Sequence, residues 1–214
     1  MRVEKITEWE TPASRIPDGT YGRVQILTDW YEQGQVFNAY CTQGVEYYQT
    51  LMPIPIKTLL IDGKTWMVDD PPHQWAMLDH AATYEGDVLV AGLGLGLIIH
   101  ALRDNPKVNQ IVVVEREPDV IRAVGPYVPA DRLTIVQGDF WEYEADRKFG
   151  GILFDLLVGK GHELFGAAIR HMLVMKEKYP EVPNIRIHGY DNLALNRMVD
   201  EAIQARNQLA ERDR

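Results

Sequence analysis

Between residues 86 and 187 the chain alternates short, unbroken apolar runs with longer stretches of helical character. Val88–Ala91, Ile111–Val114, Leu133–Val136, Gly151–Phe154 and Ile185–Ile187 are the runs. Their length and lack of polar interruption predict strands buried on both faces, as in a parallel sheet. Leu97–Arg103, a short stretch after Pro118, and His162–Lys178 predict the intervening helices. A last amphipathic helix is expected over residues 193 to 211. Strand–helix alternation of this kind implies crossovers on a parallel sheet. We therefore expect an α/β fold, a Rossmann-like doubly wound sheet of five strands, shortened at its C-terminal end.

The first third has a different texture. Residues 1 to 20 read as irregular, with Pro12, Pro17 and Asp18-Gly19 as breakers. Val24–Leu27, Gln35–Tyr40 and Val45–Leu51 are aromatic and β-branched, and Gln33-Gly34 and Gln43-Gly44 separate them. Thr58–Ile61 and Lys64–Val68, joined by Asp62-Gly63, predict a hairpin with a tight primed turn. Together these predict a small antiparallel β region over residues 1–70, followed by the α/β domain over 71–214. Asp69-Asp70-Pro71-Pro72 is expected to cap a helix from His73 to Thr83, with Trp75, Met77 and Leu78 available for burial.

Composition narrows the class. A net charge of −9 argues against a nucleic-acid partner, which calls for a basic face. No apolar stretch is long enough for a membrane helix, and with no apolar run after Met1–Lys5 no signal peptide is expected. Cys41 is the sole cysteine, so neither an internal disulfide nor a cysteine metal site is expected, and the chain suits a reducing cytoplasm. The aromatic β region is a candidate contact between two copies of the chain.

In such a sheet, ligands bind beyond the carboxyl ends of the strands. The residues there are Gly92, Gly94 and Gly96, then Glu115, Asp139 and Asp155. Glycines let a ligand approach the backbone closely. Glu115 lies about 20 residues past the glycine loop, where a carboxylate accepts both hydroxyls of a ribose. Asp139, at the third strand's tip, is placed to accept from an adenine amine. The spacing is G-x-G-x-G, not the G-x-G-x-x-G of nicotinamide-dependent enzymes, and Leu97 stands where their third glycine falls.

Glycine loop, Glu115 and Asp139 together resemble class I S-adenosylmethionine-dependent methyltransferases. With the Asp62-Gly63 strand, the run from Val68-Asp69-Asp70 to His80-Ala81, and Val88–Gly92, residues 55 to 158 look like the spermidine synthase family. The resemblance implies S-adenosylmethionine as cofactor and a small-molecule substrate. It implies that Gln74 contacts the cofactor, Glu115 the ribose and Asp139 the adenine, with Asp155 as the base that deprotonates an attacking amine. Three positions depart from it. His73 replaces a tyrosine, Leu95 replaces the acid of the glycine loop, and Leu156–Gly159 carry no second acid after Asp155. Leu93 and Leu95 thus leave a cradle for a nucleoside with no loop carboxylate for an amine.

The leading expectation is a methyltransferase-like protein that binds S-adenosylmethionine and acts on a small substrate. Asp155, His73 and His162 are its candidate bases. The alternatives are an aminopropyltransferase with a rearranged amine site, and a non-catalytic protein that binds a nucleoside or works through its surface. No Asn/Asp-Pro-Pro-Tyr signature follows the fourth strand, which argues against methylation of base amino groups.

Overall fold

The structure is a computed structural model that describes residues 3–41, 44–156 and 162–212. Its centre is a five-stranded, wholly parallel sheet: β8 (Gly86–Ala91), β9 (Val108–Glu115), β10 (Leu133–Gln137), β11 (Gly151–Phe154) and β12 (Asn184–Ile187), ordered β10-β9-β8-β11-β12. The chain builds outward from β8 in one direction, returns, and builds outward in the other. That reversal opens a crevice beside the carboxyl end of β8.

The apolar runs are continuous because alternate side chains enter two different cores. Val88, Val90, Ile111, Val113 and Leu153 belong to one, Leu89, Ala91, Val112, Val114 and Ile152 to the other. On the first face lie α1 (Pro71–Ala82), α2 (Leu97–Asp104) and α3 (Pro118–Val124); on the second lie α4 (His162–Lys178) and α5 (Asn192–Arg212). The helical expectations hold with small changes at the ends. Within α1, Met77 is buried but Leu78 is 46% exposed, so Leu78 faces solvent and contributes nothing to the core. Trp75 instead stacks on Tyr48 and meets Trp9 edge-on, which docks the helix against the N-terminal strands.

The described residues up to Val68 form two sheets. One orders β1 (Val3–Ile6), β5 (Gly44–Thr50) and β4 (Val36–Cys41); the other orders β2 (Gly19–Tyr21), β3 (Val24–Tyr31), β6 (Ile54–Ile61) and β7 (Lys64–Val68). Two expectations need correcting. Residues 3–6 and 19–21 are strands rather than irregular chain, and β1 pairs with β5 in parallel, so the region is not purely antiparallel. Of the β1 residues only Ile6 is buried. So short an edge strand carries almost no apolar signal, and its partner lies some forty residues away. The predicted hairpin is present: Asp62 and Gly63 both have positive φ, 50° and 74°, as a type I′ turn requires.

The β region and the parallel sheet share a core. Val24, Ile26 and Leu59 pack in the same cluster as Met77, Leu93, Leu95 and Leu97. Arg23 adds a polar clasp: its guanidinium reaches Asp62 of the hairpin turn and Glu117 before α3, and its amide donates to Asp119 at 2.8 Å.

β11 lies close against the segment before β8. A Cβ added at Gly151 would fall 2.1 Å from the ring of Tyr84, which is fully buried and donates its hydroxyl to Ile152 O at 3.0 Å. Gly151→Ala is therefore expected to cost about 1–3 kcal/mol through overpacking. Urea denaturation checks this. A midpoint unchanged from wild type contradicts the packing described.

Candidate functional site

From β8 the chain turns through Gly92, Leu93, Gly94, Leu95 and Gly96 into α2. The three glycines have φ of 90°, 52° and 76°, left-handed values that favour residues without a Cβ. Each is also crowded: an added Cβ would lie 3.1 Å from Leu156 at Gly92, 2.4 Å from Met67 Sδ at Gly94 and 2.4 Å from Val128 at Gly96. Leu93 and Leu95 point inward, 2% and 1% exposed, and anchor the loop in the core.

Glu115 ends β9 beside this loop. One carboxylate oxygen accepts the Leu93 amide at 2.8 Å, the other the Glu117 amide at 2.7 Å. Charge-assisted bonds of this kind contribute about 1.5–3 kcal/mol each. Each oxygen keeps a further lone pair able to accept another donor. Asp139, just past β10, accepts the Trp141 amide at 2.9 Å; Arg116 lies 3.9 Å from its other oxygen, and both side chains are solvent-exposed enough that the pair contributes little. Gly138 donates to Glu115 O at 3.0 Å, so the two acid-bearing tips are tied together. On the first turn of α1, Gln74 Oε1 is buried with no hydrogen-bond partner. A buried amide oxygen without a donor is costly.

Asp155 follows β11, and its backbone oxygen would stand 3.7 Å from a Cβ at Gly92, placing it beside the loop. His73 and His188 are both within its electrostatic reach. His73 is fixed by Asp70, which caps α1: Asp70 accepts the His73 amide at 3.1 Å, sits 2.7 Å from its Nδ1, and accepts the Tyr31 hydroxyl at 3.0 Å. Burial works against the charge on both. Their hydrogen bond, their opposite charges and the neighbouring contacts together outweigh it, so the carboxyl of Asp70 is lowered and the imidazole of His73 raised. His188 follows β12, donates its amide to Phe154 O at 3.0 Å, and lies 5.4 Å from His73 and 5.7 Å from His80, ring to ring. Its buried Nδ1 has no partner, and burial lowers its pKa.

The sequence reading missed His188. The signal was available, because the residue after the fifth buried run is by topology a strand-end residue. His162 begins α4, but its side chain lies outside the described residues, as do Leu157–Gly159. Asp69, next to Asp70, has a structural part: it accepts the Thr11 hydroxyl at 2.5 Å and the Lys57 amide at 2.6 Å.

Two shallow surface depressions, one bounded by Arg147, Phe149 and Tyr179 and the other by Pro183 and Asn196, lie toward the opposite end of β11 and β12. They hold none of the strand-end acids. Among the described residues no group of three or more His, Cys, Asp or Glu side chains is placed to hold a metal, and no helix is long and apolar enough to cross a membrane.

No family model matches the chain, and no curated protein matches it in sequence. Solved structures do match. Spermidine synthase from Thermotoga maritima is 19% identical over 56% of this chain and 55% of that one, with a TM-score of 0.39. The Trypanosoma brucei PRMT1 enzyme–prozyme complex with AdoHcy is 19% identical over 52% of this chain and 38% of that one, with a TM-score of 0.40. A complex of the Haloferax volcanii Trm112 methyltransferase activator with a putative methyltransferase is 22% identical over 39% of each chain, with a TM-score of 0.34. The chain thus spans only about two-fifths to just over half the length of these structures. The likeness is partial, and it is one of fold.

The buried histidines make stability depend on pH. Burial and His188 push His80 down to about 3, so it is neutral in the fold, whereas the unfolded side chain titrates near 6.5. Below that pH the unfolded chain takes up the proton and the folded one does not. Stability is therefore full above pH 6.5 and falls toward acid, by up to about 1.4 kcal/mol per pH unit for this group. His73, raised by Asp70, has the opposite sign: its contribution is present below 6.5 and lost above its folded pKa. Melting temperature is expected to drop between pH 7 and 5, and His80→Gln to flatten that slope. An equal slope in the variant contradicts the assignment.

Proposed function

We propose that this chain is a methyltransferase-like protein that binds S-adenosylmethionine and acts on a small substrate. The observation that carries the proposal is Glu115. Its carboxylate is fixed beside the glycine loop by the Leu93 and Glu117 amides, and each oxygen can still accept one more donor, as two vicinal ribose hydroxyls would supply. Asp139 would receive the adenine amine. Gln74, whose buried Oε1 has no partner, would accept a donor from the ligand. Gly92, Gly94 and Gly96 would hold the left-handed turn that presents the loop to the ligand, their Cβ positions being filled by Leu156, Met67 and Val128.

S-adenosylmethionine supplies an activated methyl group, so the protein's share is to position a nucleophile and take its proton. Asp155 is the candidate for that proton. His73 and His188 both feel its charge: the raised, Asp70-bound His73 favours its charged form and the lowered His188 its neutral form. Groups pushed in opposite directions within one cleft are a recognised mark of acid–base sites.

A second reading, a nucleoside-binding protein without transfer chemistry, is favoured by one feature. Position 95 is a leucine 1% exposed, so no carboxylate stands in the loop to orient an amine. The same feature weighs against aminopropyl transfer.

Calorimetric titration with adenosyl ligands tests the nucleoside site. Glu115→Ala is expected to weaken binding by about 1–3 kcal/mol, through loss of charged hydrogen bonds. Wild-type affinity in that variant would sink the ribose assignment.

A further inference from the structure

Strand register pairs Asp155 with His188 at the carboxyl edge of the sheet. Phe154 of β11 stands opposite Ile187 of β12, and the His188 amide continues the ladder to Phe154 O at 3.0 Å. Asp155 and His188 are the next pair. Leu153 enters the first core, and Ile152, Phe154, Ile185 and Ile187 enter the second. Alternation therefore assigns the side chains of Asp155 and His188 to the α1 side. Neighbouring strands run about 4.8 Å apart, so a carboxylate and an imidazole share one stretch of the crevice. His188 feels the Asp155 charge, and its buried Nδ1 has no partner, so no hydrogen bond there fixes the ring's proton. From α1, the ring of His73 lies 5.4 Å away, its own Nδ1 held by Asp70 at 2.7 Å.

The α4 and α5 side of the same strand tips is aromatic. β12 leaves the sheet through His188, Gly189 at φ 81° and Tyr190. Asn192 clamps that turn. Its Oδ1 accepts the Ile187 amide at 2.7 Å, and its Nδ2 donates to Ile187 O at 2.9 Å and to Tyr190 O at 3.0 Å. The ring of Tyr190, so placed, lies 6.1 Å from that of Phe165 in the first turn of α4, and Phe165 is 38% exposed. An uncharged aromatic pair of this kind offers a flat ring an offset-stacked partner. Carboxylates are scarce here. Asp191, next to Tyr190, is used to cap α5 through the Leu193 and Ala194 amides, both at 3.1 Å. Residues 156–162 contain no acid, so a diamine would find Asp155 for one end and no counterpart in that segment for the other.

We propose that the acceptor substrate is an aromatic hydroxyl compound, a phenol, which rests on the Phe165–Tyr190 pair and gives its proton to His188. This rests on the adenosyl reading above and narrows it. The hydroxyl proton goes to the unprotonated nitrogen of His188. The oxygen's electron pair forms the O–C bond to the methyl group, and the S–C bond breaks with its pair left on sulfur. Asp155 holds the imidazolium so formed, and its part in proton removal is played through His188. Burial keeps His188 neutral beforehand, as a proton acceptor must be. The groups facing the imidazole cluster are Asp70, His73 and His80 from α1, Asp155 from β11 and Arg186 from β12 itself. The cation on His73 favours an oxygen that turns negative and disfavours an ammonium.

The test is calorimetric and absorbance titration of the full chain saturated with S-adenosylhomocysteine, with p-nitrophenol and the diamine putrescine as probes. The phenol is expected to bind at least about tenfold more tightly than the diamine. Its visible phenolate band should grow on binding at fixed pH, the phenolate-to-phenol ratio rising about tenfold, the scale set by one neighbouring charge. His188→Gln should abolish that growth. Phe165→Ala should keep it but weaken phenol binding about twofold to tenfold, the worth of an aromatic contact. Circular dichroism and melting establish that each variant is folded. Tighter binding of the diamine, binding of neither probe, or an unchanged band overturns the proposal. So does wild-type band growth in folded His188→Gln, or wild-type affinity in folded Phe165→Ala. Failure of S-adenosylhomocysteine itself to bind, seen before either probe is added, overturns the adenosyl reading and this inference with it.

Discussion

The bond from the Leu93 amide to the Glu115 carboxylate is the constraint on which the rest of the site depends. It joins the end of β9 to the loop that leaves β8, so the two strand tips flanking the crevice cannot move independently. Three left-handed glycines would otherwise make residues 92–96 among the least restrained of the chain. The side chains of Leu93 and Leu95 hold the loop from below and Glu115 holds it from the side. Gly138, bonded to Glu115 O, brings the Asp139 tip into the same rigid unit. For the proposed nucleoside, such a loop would be organised before the ligand arrives, which would limit the ordering cost of binding.

Around that unit the two halves of the chain have different tasks. The parallel sheet sets the order of the acids, one strand tip after another. The N-terminal β region packs on one side of the sheet and delivers Met67 to the loop, while Tyr31 helps hold Asp70 and thereby His73. What looks in sequence like an appended small domain therefore furnishes part of the site's wall. The shared core of Val24, Ile26 and Leu59 with the loop leucines is the physical reason it can do so with a fixed geometry.

Much of this was legible in the residues. Continuous apolar runs revealed the parallel strands because both faces of those strands are covered. Asp62-Gly63 specified its turn because few other pairs tolerate two positive φ values in succession. The strand-end acids followed from topology once the strands were known. What stayed hidden depends on contacts distant in sequence. The β1 strand has one buried residue and takes its place only through pairing with β5. Met67 reads as an ordinary hairpin residue, and nothing local says that its sulfur meets Leu95. His188 was within reach of the sequence argument, but only the fold brings it against His73, with no partner on its buried nitrogen. Leu78 obeyed helical spacing yet faces solvent, since α1 buries Met77 and turns Trp75 toward Tyr48.

The central claim is that the crevice over Gly92–Gly96, framed by Glu115 and Asp139, holds an adenosine. Amide chemical-shift mapping on ¹⁵N-labelled chain, with adenosine or 5′-methylthioadenosine added stepwise, tests it most directly. The account predicts saturable shifts concentrated at residues 92–96, 115–117 and 138–141, with Gln74 among the responding side-chain amides. Shifts centred on the depressions near Phe149 and Asn196, or none at any attainable concentration, would contradict it.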